Sequence, residues 1–231
     1  MHVLIINGSP RVKAYSNTDK ILEKFTEGLS ANGTGFEQYE VSDRKQWDTI
    51  RKAFAENNNI LIALPLYVEC IPGLLLEFLE TLSPKRGDSR LSFILQGGFA
   101  EGCQLRCGEE YLKMLAEKLG CNYGGTLVKG DNFGIRFVEE DQREKITAPY
   151  AEMGREYAAD GGFLSEKCRK FTGPEEFSAP VRLLVSILFK TFAKKSLNKV
   201  AAGWGCTKPL DYRPYQYSGM KWDEKQGLPG K

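Results

Sequence analysis

Val3-Leu4-Ile5-Ile6-Asn7-Gly8-Ser9-Pro10-Arg11 begins the chain with a short apolar, β-branched run and a polar loop, and Ser16-Asn17-Thr18 follows closely. The apolar run reads as a fully buried strand. Beyond the loop, Ile21, Leu22, Phe25 and Leu29 recur at helical spacing. Strand, polar loop and helix in that order place the loop at the carboxyl end of a first parallel strand. Ser16 and Asp19 have the spacing of a capping box, so the helix is expected to begin there. A helix start leaves backbone N–H groups unpaired and carries partial positive charge, which favours an anion. Ser9, Ser16 and Thr18 add hydroxyls, Asn17 an amide and Arg11 a guanidinium suited to forked phosphate contact. The loop is built to hold a phosphate.

What the loop lacks narrows the ligand. It has neither G-x-G-x-x-G nor G-x-x-x-x-G-K-[ST], which argues against a dinucleotide cradled on glycines and against a nucleoside triphosphate. A hydroxyl-rich loop suits a terminal monophosphate, which exposes three oxygens to donors from several sides. The competing reading is an ordinary surface loop before a well-capped helix.

The length of 231 residues is generous for one doubly wound domain and leaves room for an appendage. A net charge of +2 with both signs interspersed gives no electrostatic case for nucleic acid. Met1-His2-Val3 runs straight into a strand with neither a basic leader nor a cleavage site, so a cytoplasmic location is expected. Six cysteines (70, 103, 107, 121, 168 and 206) are scattered without C-x-x-C spacing, which favours buried thiols over disulfides. Cys103 and Cys107, one helical turn apart, are expected to be buried packing rather than a redox pair. His2 is the only histidine, which removes histidine-ligated metals and Ser-His or Cys-His triads. Such an enzyme needs a cofactor for its hard chemistry.

Further strands are expected at Phe36–Val41, Ile60–Leu64, Leu91–Leu95 and Thr126–Val128. Helical spacing recurs at Trp47, Ile50 and Phe54, then from Leu74 to Leu82 behind Pro72-Gly73. It recurs again at Leu112, Leu115 and Leu119, and at Ile146, Tyr150, Met153 and Tyr157. Five strands alternating with five helices require a parallel sheet covered on both faces. The loops after the first, third and fourth strands carry the unusual residues.

Taken in order, Gly8-Ser9-Pro10-Arg11 with Ser16-Asn17-Thr18, then Pro65-Leu66-Tyr67 with Ile71-Pro72-Gly73, then Gln96-Gly97-Gly98, resemble the NADPH-dependent FMN reductase branch of the flavodoxin-like flavoproteins. The resemblance covers roughly the first two-thirds of the chain. It implies an α/β, flavodoxin-like, doubly wound five-stranded parallel sheet of order 2-1-3-4-5 over residues 1–160, followed by a helical carboxyl-terminal extension at 161–231. It also implies FMN as cofactor and NADPH or NADH as co-substrate. Ser9, Arg11, Ser16, Asn17 and Thr18 would hold the FMN phosphate. Pro65, Leu66, Tyr67 and Val68 would border the isoalloxazine, with Gln96, Gly97, Gly98 and Phe99 at its other edge. No catalytic side chain is implied, because flavin N5 carries the hydride. The related iron–sulfur flavoproteins have a compact cysteine cluster that this chain lacks. Physically, Tyr67 can wall a flat ring, and glycines at 97 and 98 allow close backbone approach. The expected activity passes hydride from a nicotinamide nucleotide through FMN to a small quinone, nitro or azo acceptor. The alternatives are a flavodoxin-type electron carrier and a non-catalytic protein of this fold that binds a partner or membrane.

Beyond residue 160, Gly161-Gly162 and Gly173-Pro174 break the pattern, and 179–202 reads as one long helix. Its first half is apolar almost all round, while Lys190, Lys194, Lys195 and Lys199 follow. The resembling reductases commonly dimerise, so Leu183, Leu184, Ile187, Leu188 and Phe192 are expected to help form a homodimer contact. Aromatics of the tail, densest at Tyr212-Arg213-Pro214-Tyr215, are expected near the second flavin pocket. An anionic membrane is ranked below the dimer, because Lys194 and Lys195 are adjacent and point about 100° apart.

Overall fold

Each apolar run becomes a strand of one parallel sheet: β1 (His2–Asn7), β2 (Gly35–Glu40), β3 (Asn59–Pro65), β4 (Arg90–Gln96) and β5 (Asn122–Lys129). The spatial order is β2-β1-β3-β4-β5, with every neighbouring pair parallel. The computed structural model describes residues 1–213 and, beyond them, the backbone pairing of Trp222–Asp223 with Leu228–Pro229. Pro214 and Tyr215, which complete the dense aromatic stretch, lie outside the described residues.

Alternation along the strands splits the core into two layers. Leu4, Ile6, Ile60, Ile62 and Phe93 face α2 (Trp47–Glu56), α3 (Gly73–Leu79) and α4 (Arg106–Lys118). Val3, Ile5, Leu61, Ile94 and Leu127 face α1 (Asn17–Ala31) and the helix that follows β5. That helix, expected as one piece, divides into α5 (Glu140–Thr147) and α6 (Pro149–Asp160). Pro149 has no N–H to continue the ladder and starts a new helix instead. Only α6 carries the core: Tyr150, Met153 and Tyr157 are buried, while Ile146 on α5 is exposed.

α1 and α6 touch backbone to backbone. A Cβ on Gly28 would fall inside the van der Waals shell of the Ala151 carbonyl, and one on Gly154 would strike the Phe25 carbonyl. Only residues without a Cβ allow this approach, which presses α1 onto the sheet and so aims its amino terminus.

The chain divides into two compact units, residues 1–176 and 177–231. The first continues past the boundary expected at 160. Gly161-Gly162 is no linker: Phe163 donates to the Gly124 carbonyl at 2.7 Å, and a Cβ on Gly162 would meet that same oxygen. α7 (Glu166–Phe171) then packs beside β5. In the second unit, α8 (Ala179–Leu188) runs through a π turn at Phe189–Ala193 into α9 (Lys194–Gly203). The chain folds back on α9, with Leu210 N–H on Asn198 Oδ1 at 2.8 Å and Lys194 Nζ on Asp211 Oδ2 at 2.7 Å. Among the described residues no helix is long and apolar enough to cross a membrane.

All six cysteines are free. Cys121 and Cys168 are buried, whereas Cys103 and Cys107, expected in the core, are exposed together with Cys70 and Cys206. Cys103 lies in a one-turn helix, Gly102–Leu105, that precedes α4, so the even helical spacing assumed for the pair does not hold.

Glu40 ends β2 directly beside Asn7 at the end of β1. Gln38 Nε2 donates to its Oε1 at 3.0 Å, while Oε2 is buried without a partner. Burial raises this carboxyl above its usual range, and Asp19 adds to the rise against the opposing effect of Lys13.

Two outcomes follow from this packing. Gly28→Ala should destabilise by about 2–3 kcal/mol by forcing α1 off α6, seen as a Tm lower by about 5–10 °C. A carboxyl with a raised folded-state pKa favours folding below its unfolded value and loses that contribution as pH rises through the folded one. Glu40→Gln should therefore stabilise the apoprotein at pH 7 and bring little gain at pH 4, checked by thermal unfolding at both.

Candidate functional site: a phosphate loop and an adjoining cleft

The loop after β1 is held open by its own side chains. Asn7 Oδ1 accepts from Ser9 N–H at 3.0 Å and Ser9 Oγ from Arg11 N–H at 3.3 Å, while Gly8 N–H pairs with the Ala63 carbonyl at 2.8 Å. Ser16 caps α1 by accepting from Asp19 N–H at 3.2 Å. The second half of the expected capping box is absent. The Asp19 carboxylate turns inward instead, and Asn7 Nδ2 donates to its Oδ2 at 2.9 Å. This clamp ties the end of β1 to the first turn of α1. It leaves the first backbone donors of α1 facing the loop, together with the Ser9 and Ser16 hydroxyls and the half-buried Arg11. Hydroxyl, amide and guanidinium groups thus stand together in sequence at a helix start, the kinds of donor a phosphate requires.

The Asn17 side chain also reaches across to another loop. Its Nδ2 donates to the Asn132 carbonyl at 2.7 Å, stitching α1 to the loop after β5. Asn132 in turn donates to Tyr150 Oη and to the Lys129 carbonyl, both at 3.0 Å. Neither Asn132 nor Asn7 was singled out from sequence, and only the buried-asparagine signature beside a turn would have pointed to them.

The second half of the site is a shallow cleft of about 60 Å³ lined by Leu66, Val68, Glu69, Gly97, Gly98, Phe99, Gln104 and Leu105. Five of these were expected (Leu66, Val68, Gly97, Gly98 and Phe99); Glu69, Gln104 and Leu105 were not. Tyr67 is half-exposed at the adjoining turn, and Pro65 ends β3. Tyr67 and Cys70 exchange backbone bonds of 2.8 and 3.2 Å across Val68 and Glu69, both with positive φ (48° and 61°). A β-branched residue in that region is strained, and Val68 sits there with 76% of its surface exposed.

The two glycines differ. Gly97 is buried, its N–H bonded to the Lys129 carbonyl at 3.1 Å and its carbonyl to Asn132 N–H at 3.0 Å. A Cβ there would collide with Leu105 at 2.7 Å. Gly98 is exposed and has the open backbone that a ring could approach. Gln96 Nε2 reaches Thr18 Oγ1 at 3.4 Å, a bond that joins the cleft to the phosphate loop. The loop after β4 is also strapped from behind. Gly102 and Cys103 donate to the carbonyls of Pro174 and Glu175, at 2.9 and 3.1 Å, and Arg106 pairs with the Glu175 carboxylate. That strap comes from residues in which sequence pattern showed only a break.

A phosphate loop joined to a cleft with backbone at its rim fits a flat ring carrying a terminal monophosphate, which is the shape of FMN. The model of the NADPH-dependent FMN reductase family matches residues 1–135. Similar solved structures include an FMN-dependent NADH-azoreductase from Bacillus anthracis in complex with FMN. It is 17% identical, with a TM-score of 0.51 over 69% of this chain and 98% of that one. A putative quinone reductase from Klebsiella pneumoniae is 11% identical, with a TM-score of 0.53 over 78% and 98%. General stress protein 14 from Treponema denticola, in complex with FMN, is 12% identical, with a TM-score of 0.51 over 69% and 98%. At these identities the likeness is one of fold. No curated protein matches the sequence. The family match spans more than half of the chain and both halves of the site, and the chain therefore belongs to the NADPH-dependent FMN reductase family, as an FMN-dependent NAD(P)H oxidoreductase that reduces a small acceptor.

Proposed function

We propose that Ser9, Arg11, Ser16, Asn17 and Thr18 hold the FMN phosphate, and that Pro65, Leu66, Tyr67, Val68, Gln96, Gly97, Gly98 and Phe99 border the ring. The observation that carries this reading is the Gln96–Thr18 bond, which joins a donor-rich helix start to an open cleft. The contributions within this set are unequal. Arg11 and the first N–H groups of α1 neutralise the phosphate, while Asn17 acts through its backbone and steadies the loop after β5 with its amide. Gly98 offers its backbone to the ring, and Gly97 and Gln96 shape the wall. Bound FMN supplies hydride transfer between NADH or NADPH and the acceptor. The protein's task is to stack the two rings and keep the site in shape, so no titrating side chain is required for that transfer.

The acceptor class proposed is a small quinone, nitro or azo compound, in keeping with azoreductase and quinone reductase relatives of the same fold. A cytoplasmic homodimer is proposed on family membership alone, and sedimentation of the FMN-loaded protein checks the dimer. Anaerobic titration of the purified protein with NADH and with NADPH tests the function itself. Bleaching of the flavin by at least one of them supports it, and no bleaching by either refutes it.

Arg11→Ala should weaken FMN binding by about 1.5–3 kcal/mol, the scale of a charge-assisted hydrogen bond. Fluorescence titration of the apoprotein measures it, and unchanged affinity would remove Arg11 from the site. His2 starts β1, at the end of the sheet opposite the loop. His2→Ala should leave anaerobic flavin reduction unchanged, whereas Tyr67→Ala should slow it with FMN still bound; stopped-flow absorbance separates the two.

A further inference from the structure

The cations of this chain are unevenly placed. Residues 177–231 hold ten Lys and Arg against three Asp and Glu, a net +7, while residues 1–176 hold 22 against 27, a net −5. Between 177 and 210 there are six cations (Arg182, Lys190, Lys194, Lys195, Lys199 and Lys208) and no acid. The same segment bears open apolar side chains: Leu184, Leu188 and Phe192 are 57%, 48% and 79% exposed.

At a plain α advance of about 100° per residue, Lys195 and Lys199 would fall in the middle of those apolar residues, leaving no clean face. The π turn at Phe189–Ala193 changes the register. With about 4.4 residues per turn, each of its five residues advances roughly 80°, so α9 lags by roughly 90°, close to one residue. With that lag Val181, Leu184, Leu188, Phe192 and Val200 share one stripe roughly 70° wide. Lys195 and Lys199 lie to one side of it and Arg182 to the other, while Lys190 and Lys194 fall on the opposite face. The returning segment covers a different side of α9, through Asn198 and Lys194, and leaves the stripe open.

We propose that the helix from Ala179 to Gly203 lies on an anionic lipid bilayer, its apolar stripe at the acyl boundary and Lys195, Lys199 and Arg182 on the headgroup phosphates. A second copy of this chain is the competing occupant. A two-fold contact through this face would set like cations against each other, whereas anionic headgroups oppose them in sign. The helix lies on the bilayer rather than crossing it, being too charged to span.

Co-sedimentation of the full-length, FMN-loaded protein with vesicles tests this. Phosphatidylcholine vesicles containing phosphatidylserine should bind it at least about tenfold more tightly than pure phosphatidylcholine, with release at high salt. Lys195→Gln with Lys199→Gln should weaken binding about tenfold. Leu188→Ser with Phe192→Ser should weaken it similarly, with FMN absorbance unchanged in both. No binding to the anionic vesicles, equal binding to neutral ones, or binding that survives both double variants would overturn the proposal. So would a dimer that the Leu188/Phe192 variant converts to monomer while vesicle binding persists.

Discussion

The first backbone N–H groups of α1 have no partner within their own helix, and the contacts around them fix that helix start at the carboxyl end of β1. Ser16 satisfies one of them, at Asp19, and the Asn7–Asp19 bond fixes the first turn against the end of β1. The close approach of Gly28 and Gly154 sets the angle at which α1 crosses the sheet. None of these contacts touches a cofactor. Together they decide where the helix start stands, and such a start favours an anion.

The sheet order brings the other loops to the same place. β1 lies between β2 and β3, so the chain leaves the sheet in opposite directions on either side, and the gap opens above their carboxyl ends. The loop after β3 enters that gap as a tight turn with Val68 and Glu69 at positive φ, and the loop after β4 faces it with Gly98. Neither loop is held by local structure alone. Leu66 N–H pairs with the Gln96 carbonyl at 2.8 Å, Gln96 reaches Thr18, and Asn17 reaches Asn132, so strands 1, 3, 4 and 5 share one network of polar contacts.

The segment from 161 to 176 shows why local pattern misleads there. Its glycines are spaced like a linker, but they permit contact with Gly124 and the rim of β5. The chain then returns to strap the loop after β4 at Gly102 and Cys103. Phe171 stacks edge-on against Tyr150 at 5.0 Å and lies under Lys129 at 5.2 Å. A side wall of the site is thus steadied by residues outside the stretch that the family model covers.

The amino-acid sequence by itself determined the five strands, their alternation with helices, the capped helix start behind a loop of hydroxyls and a guanidinium at Ser9, Arg11 and Ser16 to Thr18, and the glycine-bearing loop after β4. Those are local signals: runs of Val, Ile and Leu bury on both faces, a Ser cap starts a helix, and hydroxyls and a guanidinium recognise an anion wherever the chain goes. Tertiary structure alone decided that the Asn17 amide serves the loop after β5, that Gly97 has no room for a Cβ beside Leu105, and that Cys103 and Cys107 face water. It also decided the register of α9, because a single π turn shifts every following side chain by about the angle of one residue. Each of these depends on a partner far away in sequence or on a backbone departure with no signature in residue spacing. Periodicity can name the face of an element only while the element keeps its period.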